Sequence, residues 1–355
     1  MAMTRYGAQY GPDVTFLGVE RCDLDDEATY AGADVVILGA PFDGGTSHRP
    51  GARFGQQAIR TTDYLPHDGS RPSLALRTDG LRDLRVVDAG DVEMFSGDIE
   101  VALPALEAAV EKVARAGAVP LVLGGDHSIA YPDAKGVANV LGHGRVSMVH
   151  FDAHADTGDI EFGSLWGHGQ PMRRLIESGA VRGDRFLQVG LRGYWPPPDT
   201  LDWMSGEGFR SYEMTEIGRR GLDACLTEAS HIALDDCDGV FLSVDIDVCD
   251  PGHAPGTGTP EPGGLTAREL LDSVRRLCLE LPVVGMDVVE VSPPYDHADI
   301  TAALANRVVL EALCAIARRR ADQRDGTTWD PTRPMLAGRV PEATQPGSGR
   351  ESPSS

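Results

Sequence analysis

The stretch that most constrains this chain is His150-Phe151-Asp152-Ala153-His154-Ala155-Asp156. It follows an apolar run, Val146 to Val149, that reads as a buried strand. Metal-capable side chains alternate with Phe or Ala, so Asp152 and His154 face the same way on an extended chain. A strand rises about 3.3 Å per residue, so Asp152 and Asp156 would stand about 13 Å apart if it continued. An ion with ligands at about 2.1 Å cannot take both across that gap. The spacing therefore predicts that the strand ends near His154 and that the chain bends to return Asp156.

Two further stretches match it. Ser243-Val244-Asp245-Ile246-Asp247 follows the apolar residues 239–242, and puts Asp245 and Asp247 on one face. Their separation of about 6.6 Å suits two ions about 3.5–4 Å apart. Gly124-Gly125-Asp126-His127-Ser128 ends a third strand with a histidine. Each stretch alone has a bland reading: a hydrogen-bonded loop, a pair of capping acids, or a tight turn with Ser128 capping a helix. Jointly they bring four carboxylates (Asp152, Asp156, Asp245, Asp247) and two imidazoles (His127, His154) to one edge of one sheet. Uncompensated, those carboxylates repel and raise each other's pKa values. Two divalent ions cancel the four charges, so the pattern predicts a binuclear metal site.

The rest of the chain alternates strands and helices. Strands are expected at residues 34–40, 84–88, 119–123, 146–154, 186–191, 209–212, 240–245 and 283–291. Helices are expected from Gln56, at 99–116, 128–141, 172–178, 222–233, from the capping box Thr266-Ala267-Arg268-Glu269 to 281, and at 300–319. The Pro-rich residues 192–198 read as a loop. The strands are apolar throughout, the mark of a parallel sheet covered on both faces, with ligands at its carboxyl edge. This predicts an α/β chain with about eight strands and no internal repeat. It divides into an N-terminal extension (1–32), one catalytic domain (33–325) and a Pro/Gly/Ser/Arg-rich tail (326–355) expected to be disordered.

Charge narrows the partners. The formal net charge is -22, from 54 acids against 32 bases. That argues against nucleic acid and anionic membranes, and is compatible with steering a cationic substrate. No apolar run reaches the ~18 residues of a membrane span, and the N-terminus lacks the apolar core of a signal peptide. Six scattered cysteines without CxxC pairs read as reduced and buried, and the expected location is cytoplasmic.

Over roughly residues 34–320 the chain resembles the ureohydrolase family: arginases, agmatinases and related guanidino-group amidinohydrolases. The resemblance rests on residues 124–128, 150–156, and 243–251 continuing through 254–264. It implies a three-layer α/β/α sandwich on an eight-stranded parallel sheet, and two Mn²⁺ ions per subunit. One ion would be held by His127, Asp152, Asp156 and Asp245, the other by Asp152, His154, Asp245 and Asp247, with Asp152 and Asp245 bridging. Cys249, just past the cluster, reads as packing. A metal-activated water would attack the guanidinium carbon. His168, in Trp166-Gly167-His168-Gly169-Gln170-Pro171, matches the family's proton-shuttle histidine. Glu290, in Val288-Val289-Glu290-Val291-Ser292, matches the glutamate that holds the guanidinium. Urea and an amine would be the products, and a trimeric or hexameric homo-oligomer is implied.

The substrate is read from the loop at residues 157–166. It carries Asp159, Glu161, Phe162 and Trp166 and no base. An α-carboxylate would meet two negative charges there, whereas a second amine, as in agmatine, is favoured if either acid points inward. Trp166, Tyr194, Trp195 and Pro196-Pro197-Pro198 are candidates for a pocket wall. The expected reaction is agmatine to putrescine. The alternative is another guanidino compound: 4-guanidinobutyrate, 3-guanidinopropionate or a guanidinylated natural-product intermediate, with Arg49 or Arg192 as the base that a guanidino acid would need. A non-catalytic relative would have lost a ligand or the shuttle, and all are present. A zinc deacylase on a related fold would need fewer carboxylates.

Overall fold

Nine strands pair in parallel to form a single sheet in a computed structural model that describes residues 14–63 and 72–330. In chain order the strands are β1 (Glu20–Arg21), β2 (Val35–Gly39), β3 (Val86–Asp91), β4 (Val119–Leu123), β5 (Val146–Phe151), β6 (Val181–Val189), β7 (Arg210–Tyr212), β8 (Gly239–Asp245) and β9 (Val283–Val289). Their spatial order is β1-β3-β2-β4-β9-β8-β5-β6-β7. Eight correspond to the apolar runs. The ninth, β1, is a two-residue exposed edge strand from within the N-terminal extension, too short and polar to show in the sequence. The tail beyond residue 330 lies outside the described residues.

Helices cover both faces. They are α1 (Gly55–Thr61), α2 (Gly80–Asp83), α3 (Ile99–Arg115), α4 (Ala130–Leu141), α5 (Pro171–Glu177), α6 (Pro198–Glu207), α7 (Met214–Arg220), α8 (Leu222–Leu234), α9 (Ala267–Glu280) and α10 (Ile300–Asp325). One core packs α3, α4 and α5 on Val36, Leu38, Val122, Met148 and Phe241. The other packs α1, α2, α8, α9 and α10 on Ile37, Leu121, Val149, Leu242 and Val288. Strand residues buried on alternate faces feed alternate cores, so the central strands are covered on both faces and are largely apolar. The architecture is therefore a three-layer α/β/α sandwich.

Local chemistry sets the helix ends. Thr266 and Glu269 form the reciprocal capping box that starts α9. Pro198 begins α6, a helix not among those expected from the sequence, so the Pro-rich loop ends one residue earlier than expected, a proline being preorganised for a first helical position. Contrary to the expectation that no stretch would reach that length, helix α10 is long and apolar enough to cross a membrane by length and composition; Arg307 and Glu311 break up its apolar residues in the sequence. Most of it is buried against α9 and the sheet, which accounts for that composition.

Candidate metal centre and catalytic pocket

The carboxyl ends of β4, β5, β8 and β9 build the site. Strand β5 stops at Phe151, three residues before the expected point, since Asp152 already begins the bend. The turn completes at Asp156, which holds a left-handed φ of 52°. This returns the Asp156 carboxylate to the cluster. Gly125 permits the close approach of the loop after β2: a Cβ there would lie 2.3 Å from the Phe42 carbonyl oxygen.

Three carboxylate oxygens surround one imidazole nitrogen. His127 Nδ1 lies 3.0 Å from Asp152 Oδ2, 3.0 Å from Asp156 Oδ2 and 3.2 Å from Asp245 Oδ2. A second group adjoins it: His154 Nδ1 lies 3.1 Å from Asp247 Oδ2 and 3.5 Å from Asp152 Oδ1. Asp152 thus belongs to both. All four carboxylates are buried. Burial works to lower the pKa of His127, yet Asp152, Asp156 and Asp245 lift it well above the usual imidazole range. His154 is likewise pushed up to about 12, against burial, by Asp247 and Asp152. Burial, Asp247 and Asp152 raise the Asp245 carboxyl well above its usual range. The two histidines stand in for cations that the carboxylates demand. Hard oxygen donors with two imidazoles fit divalent ions of the manganese or magnesium type. Burial pushes the Cys249 thiol up to about 12, which keeps it protonated and outside the donor set.

His127 is oriented from below. The Ser243 hydroxyl donates to Asp287 Oδ1 at 2.8 Å, so its oxygen is left to accept from His127 Nε2 at 3.0 Å. That puts a ring proton on Nε2 and leaves Nδ1, which faces the three carboxylates, as the nitrogen a metal would take. Asp287→Leu is expected to weaken metal binding roughly 10–100-fold by freeing this serine. Titration of metal-stripped protein checks it, and unchanged affinity would show that His127 needs no such partner.

His168 and Glu290 meet beside the cluster. His168 Nδ1 lies 2.9 Å from Glu290 Oε1, while its Nε2 accepts from the Ser47 backbone N–H at 3.0 Å and lies 2.7 Å from Ser47 Oγ. In the neutral ring the nitrogen that accepts from N–H carries no proton, so the neutral form keeps its proton on Nδ1, facing Glu290. Burial works to lower the His168 pKa, but Glu290 outweighs it and pushes the group up to about 9. Glu290 sits at φ 63°, and its Oε1 also accepts the His127 backbone N–H at 2.9 Å. Its Oε2 is buried without a hydrogen-bond partner, an orphaned acceptor at the centre of the site. Asp126 anchors the wall carrying Ser47: its Oδ2 accepts the Gly45 N–H at 2.7 Å. Burial and then Glu290 raise its carboxyl to about 6.

A cavity of about 600 Å³ opens above, lined by Ser47, His154, Asp156, Glu161, His168 and Trp195 among others, none of them Lys or Arg. The expected wall residues divide. Glu161 lines the cavity half-buried, tucked against Gly158 and Gly169, with no cationic partner among the described residues. Asp159 is also at the cavity wall, but Arg174 holds it at 3.0 Å. Trp166 turns away: its Nε1 donates to Glu100 and its ring packs on Tyr131 of α4. Tyr194 is fully exposed, whereas Trp195 and Pro197 face the cavity. Arg192 spends its guanidinium on the backbone carbonyls of Gly190, Asp247, Val248, Cys249, Glu261 and Pro262. Arg49 stacks on Tyr295. Ser47, Ser243, Asp287, His150 and Gln188 were not foreseen as contributors. For the last four the available signal was a polar residue inside a buried strand run; Ser47, in the loop after β2, had none.

Comparison with known proteins agrees with this geometry. The family model described as the arginase family matches residues 33–315. The chain is 41% identical over 298 residues to proclavaminate amidinohydrolase of Streptomyces clavuligerus, covering 82% of this chain and 91% of that protein. The solved structure of that enzyme superposes with a TM-score of 0.79, covering 88% of this chain and all of its own. Guanidino acid hydrolase of Homo sapiens is 38% identical over 80% of this chain and 79% of its own length. Agmatinase of Gallus gallus is 39% identical over 82% and 84%. With that match across four-fifths of its length, and a carboxylate–imidazole cluster at the carboxyl edge of its sheet, the chain belongs to the arginase family, hydrolases of C–N bonds in linear amidines.

Proposed function

We propose that this protein cleaves a guanidino compound with a cationic distal end, agmatine first, to urea and an amine, with two Mn²⁺ ions as resident metals. The observation that carries the substrate reading is the Glu161 carboxylate, without a salt-bridge partner among the described residues, on a cavity wall that has no Lys or Arg. His127, Asp152, Asp156 and Asp245 would hold one ion, and Asp152, His154, Asp245 and Asp247 the other. When bound, the ions supply an activated water and a positive field at the guanidinium carbon.

The chain's own residues do the rest. The orphaned Glu290 Oε2 accepts guanidinium N–H groups by charge-assisted hydrogen bonds and orients the carbon toward the metals. The arriving guanidinium takes the place of His168 Nδ1 at Glu290 Oε1 and releases that imidazole. His168 then carries its proton to the departing amine nitrogen as the C–N bond breaks. Glu161 holds the distal ammonium, and Trp195 packs on the methylene chain.

A second reading is a bulkier guanidine, favoured by the exposed Ile160 and Phe162 at the cavity mouth and by likeness to an enzyme named for proclavaminate. Urea release by Mn²⁺-loaded protein separates the readings, with agmatine, arginine, 4-guanidinobutyrate, 3-guanidinopropionate and butylguanidine run side by side. The expected order has agmatine first. A guanidino acid cleaved faster would overturn it. Glu161→Gln is expected to raise KM for agmatine about 10–100-fold, the worth of a hydrogen bond to a charge. The KM for uncharged-tail butylguanidine should not move.

A further inference from the structure

Beneath the metal cluster runs a row of polar side chains that crosses the sheet. Asp287 of β9 pairs in register with Ser243 of β8, Ser243 with His150 of β5, His150 with Gln188 of β6, and Gln188 with Ser211 of β7. Asp287, Ser243, His150 and Gln188 are each fully buried. The left part of the row, Asp287 and Ser243, orients His127. The right part has no role in the chemistry described so far. Four buried polar groups at one level of an otherwise apolar sheet are expensive unless each bond in the row is made.

The right part resolves into a chain of obligatory donors and acceptors. The Ala155 backbone carbonyl can only accept, and Gln188 Nε2 lies 2.8 Å from it. The amide nitrogen is therefore on that side, and Ser211 Oγ donates to the amide oxygen at 2.9 Å on the other. The second Nε2 hydrogen of Gln188 points at His150 Nδ1, 3.2 Å away. His150 Nδ1 must then be the unprotonated nitrogen, and the ring proton sits on Nε2. That proton faces Asp152 Oδ2 at 2.8 Å. Asp152 is the carboxylate shared by both ligand groups, and its other oxygen accepts the His154 backbone N–H at 2.6 Å.

We infer that Gln188 is a positioning residue for the metal centre: it selects the Nε2–H tautomer of His150, which fixes the carboxylate plane of Asp152. His150 is then a donor to the ligand shell and not a member of it, although its ring lies within reach of the same cluster. The inference rests on the two-ion reading of the site.

Nitrogen-15 NMR of the histidine rings in metal-stripped protein tests the tautomer directly, without activity or metal. Wild-type His150 is expected to show a pyrrole-type Nε2 and a pyridine-type Nδ1; the reverse pattern overturns the inference outright. Gln188→Glu replaces the donor with an acceptor and is expected to move a proton onto Nδ1 in the same spectrum. Mn²⁺ titration of Gln188→Leu and Gln188→Glu should show affinity lowered about 10–100-fold relative to wild type. Wild-type affinity in both, with both proteins folded, overturns the role of Gln188 in positioning. If the stripped wild type has the expected tautomer but takes up no second ion, the two-ion reading fails and the tautomer assignment stands. Should both variants fail to fold, the wild-type spectrum still decides the tautomer.

Discussion

Replacing Asp152 with asparagine is expected to remove urea release by roughly 10³-fold or more, the worth of several kcal/mol of metal-supplied stabilisation. Asp152 reaches His127 with one oxygen and His154 with the other, so both ligand groups depend on it. It is also held well below the usual carboxylate range, against burial, by His150, His127 and His154. An amide in its place presents one neutral oxygen and one N–H group to a cluster built for anions. Metal analysis should therefore show loss at both positions, not one. The fold should survive, because the substitution is isosteric, although the stripped cluster loses the anion that its histidines hold. A variant that keeps two ions and a tenth of the activity would show that Asp152 does not join the two groups.

Glu290→Gln is the second large effect. The carboxylate offers its free Oε2 to a guanidinium, and an amide offers at best one neutral acceptor. A loss of roughly 10²–10³-fold in kcat/KM is expected, as for removal of one electrostatic contact in a dry site. The same change has a readout in the absence of substrate. Glu290 is what lifts His168 to about 9. In the metal-stripped variant, the His168 ring protons should titrate near the ordinary imidazole value of about 6.5. The sign of the linked stability follows. A histidine whose folded pKa is raised stabilises the fold fully below its unfolded value, and that contribution fades as pH rises through about 9. The variant should therefore lose stability relative to wild type below neutral pH and approach it above 9. A His168 that still titrates near 9 in the variant would assign its shift to another group.

The order of elements and the ligand cluster were legible because they are local. Apolar runs report buried parallel strands, the Thr266-x-x-Glu269 spacing reports a helix start, and the ligands of Asp152-x-His154-x-Asp156 cannot be brought together without the turn found at Asp156. What was not legible depends on register between distant strands. Ser243, His150, Gln188 and Asp287 look like isolated imperfections in four apolar runs until pairing sets them side by side. The fate of the loop acids was hidden for the same reason. Nothing local says that Arg174 captures Asp159 and leaves Glu161 free. Trp166 lies close in sequence to His168, yet Tyr131 and Glu100 take it to the opposite side.

The place of β9 in the sheet has a kinetic consequence. It lies between β4 and β8, so without it the sheet is two separate half-sheets, β1-β3-β2-β4 and β8-β5-β6-β7. His127 belongs to one half, the other five candidate ligands to the second, and Glu290 follows β9 itself. During synthesis the cluster cannot close until the residues near 290 have left the ribosome. Until then two open strand edges face solvent, each a template for pairing with another chain. Joining them is a long-range event of the slow kind. Ions that bind only the closed cluster would then act as a latch on the final step of folding, and metal-ion supply during synthesis would govern how much of the nascent protein escapes aggregation.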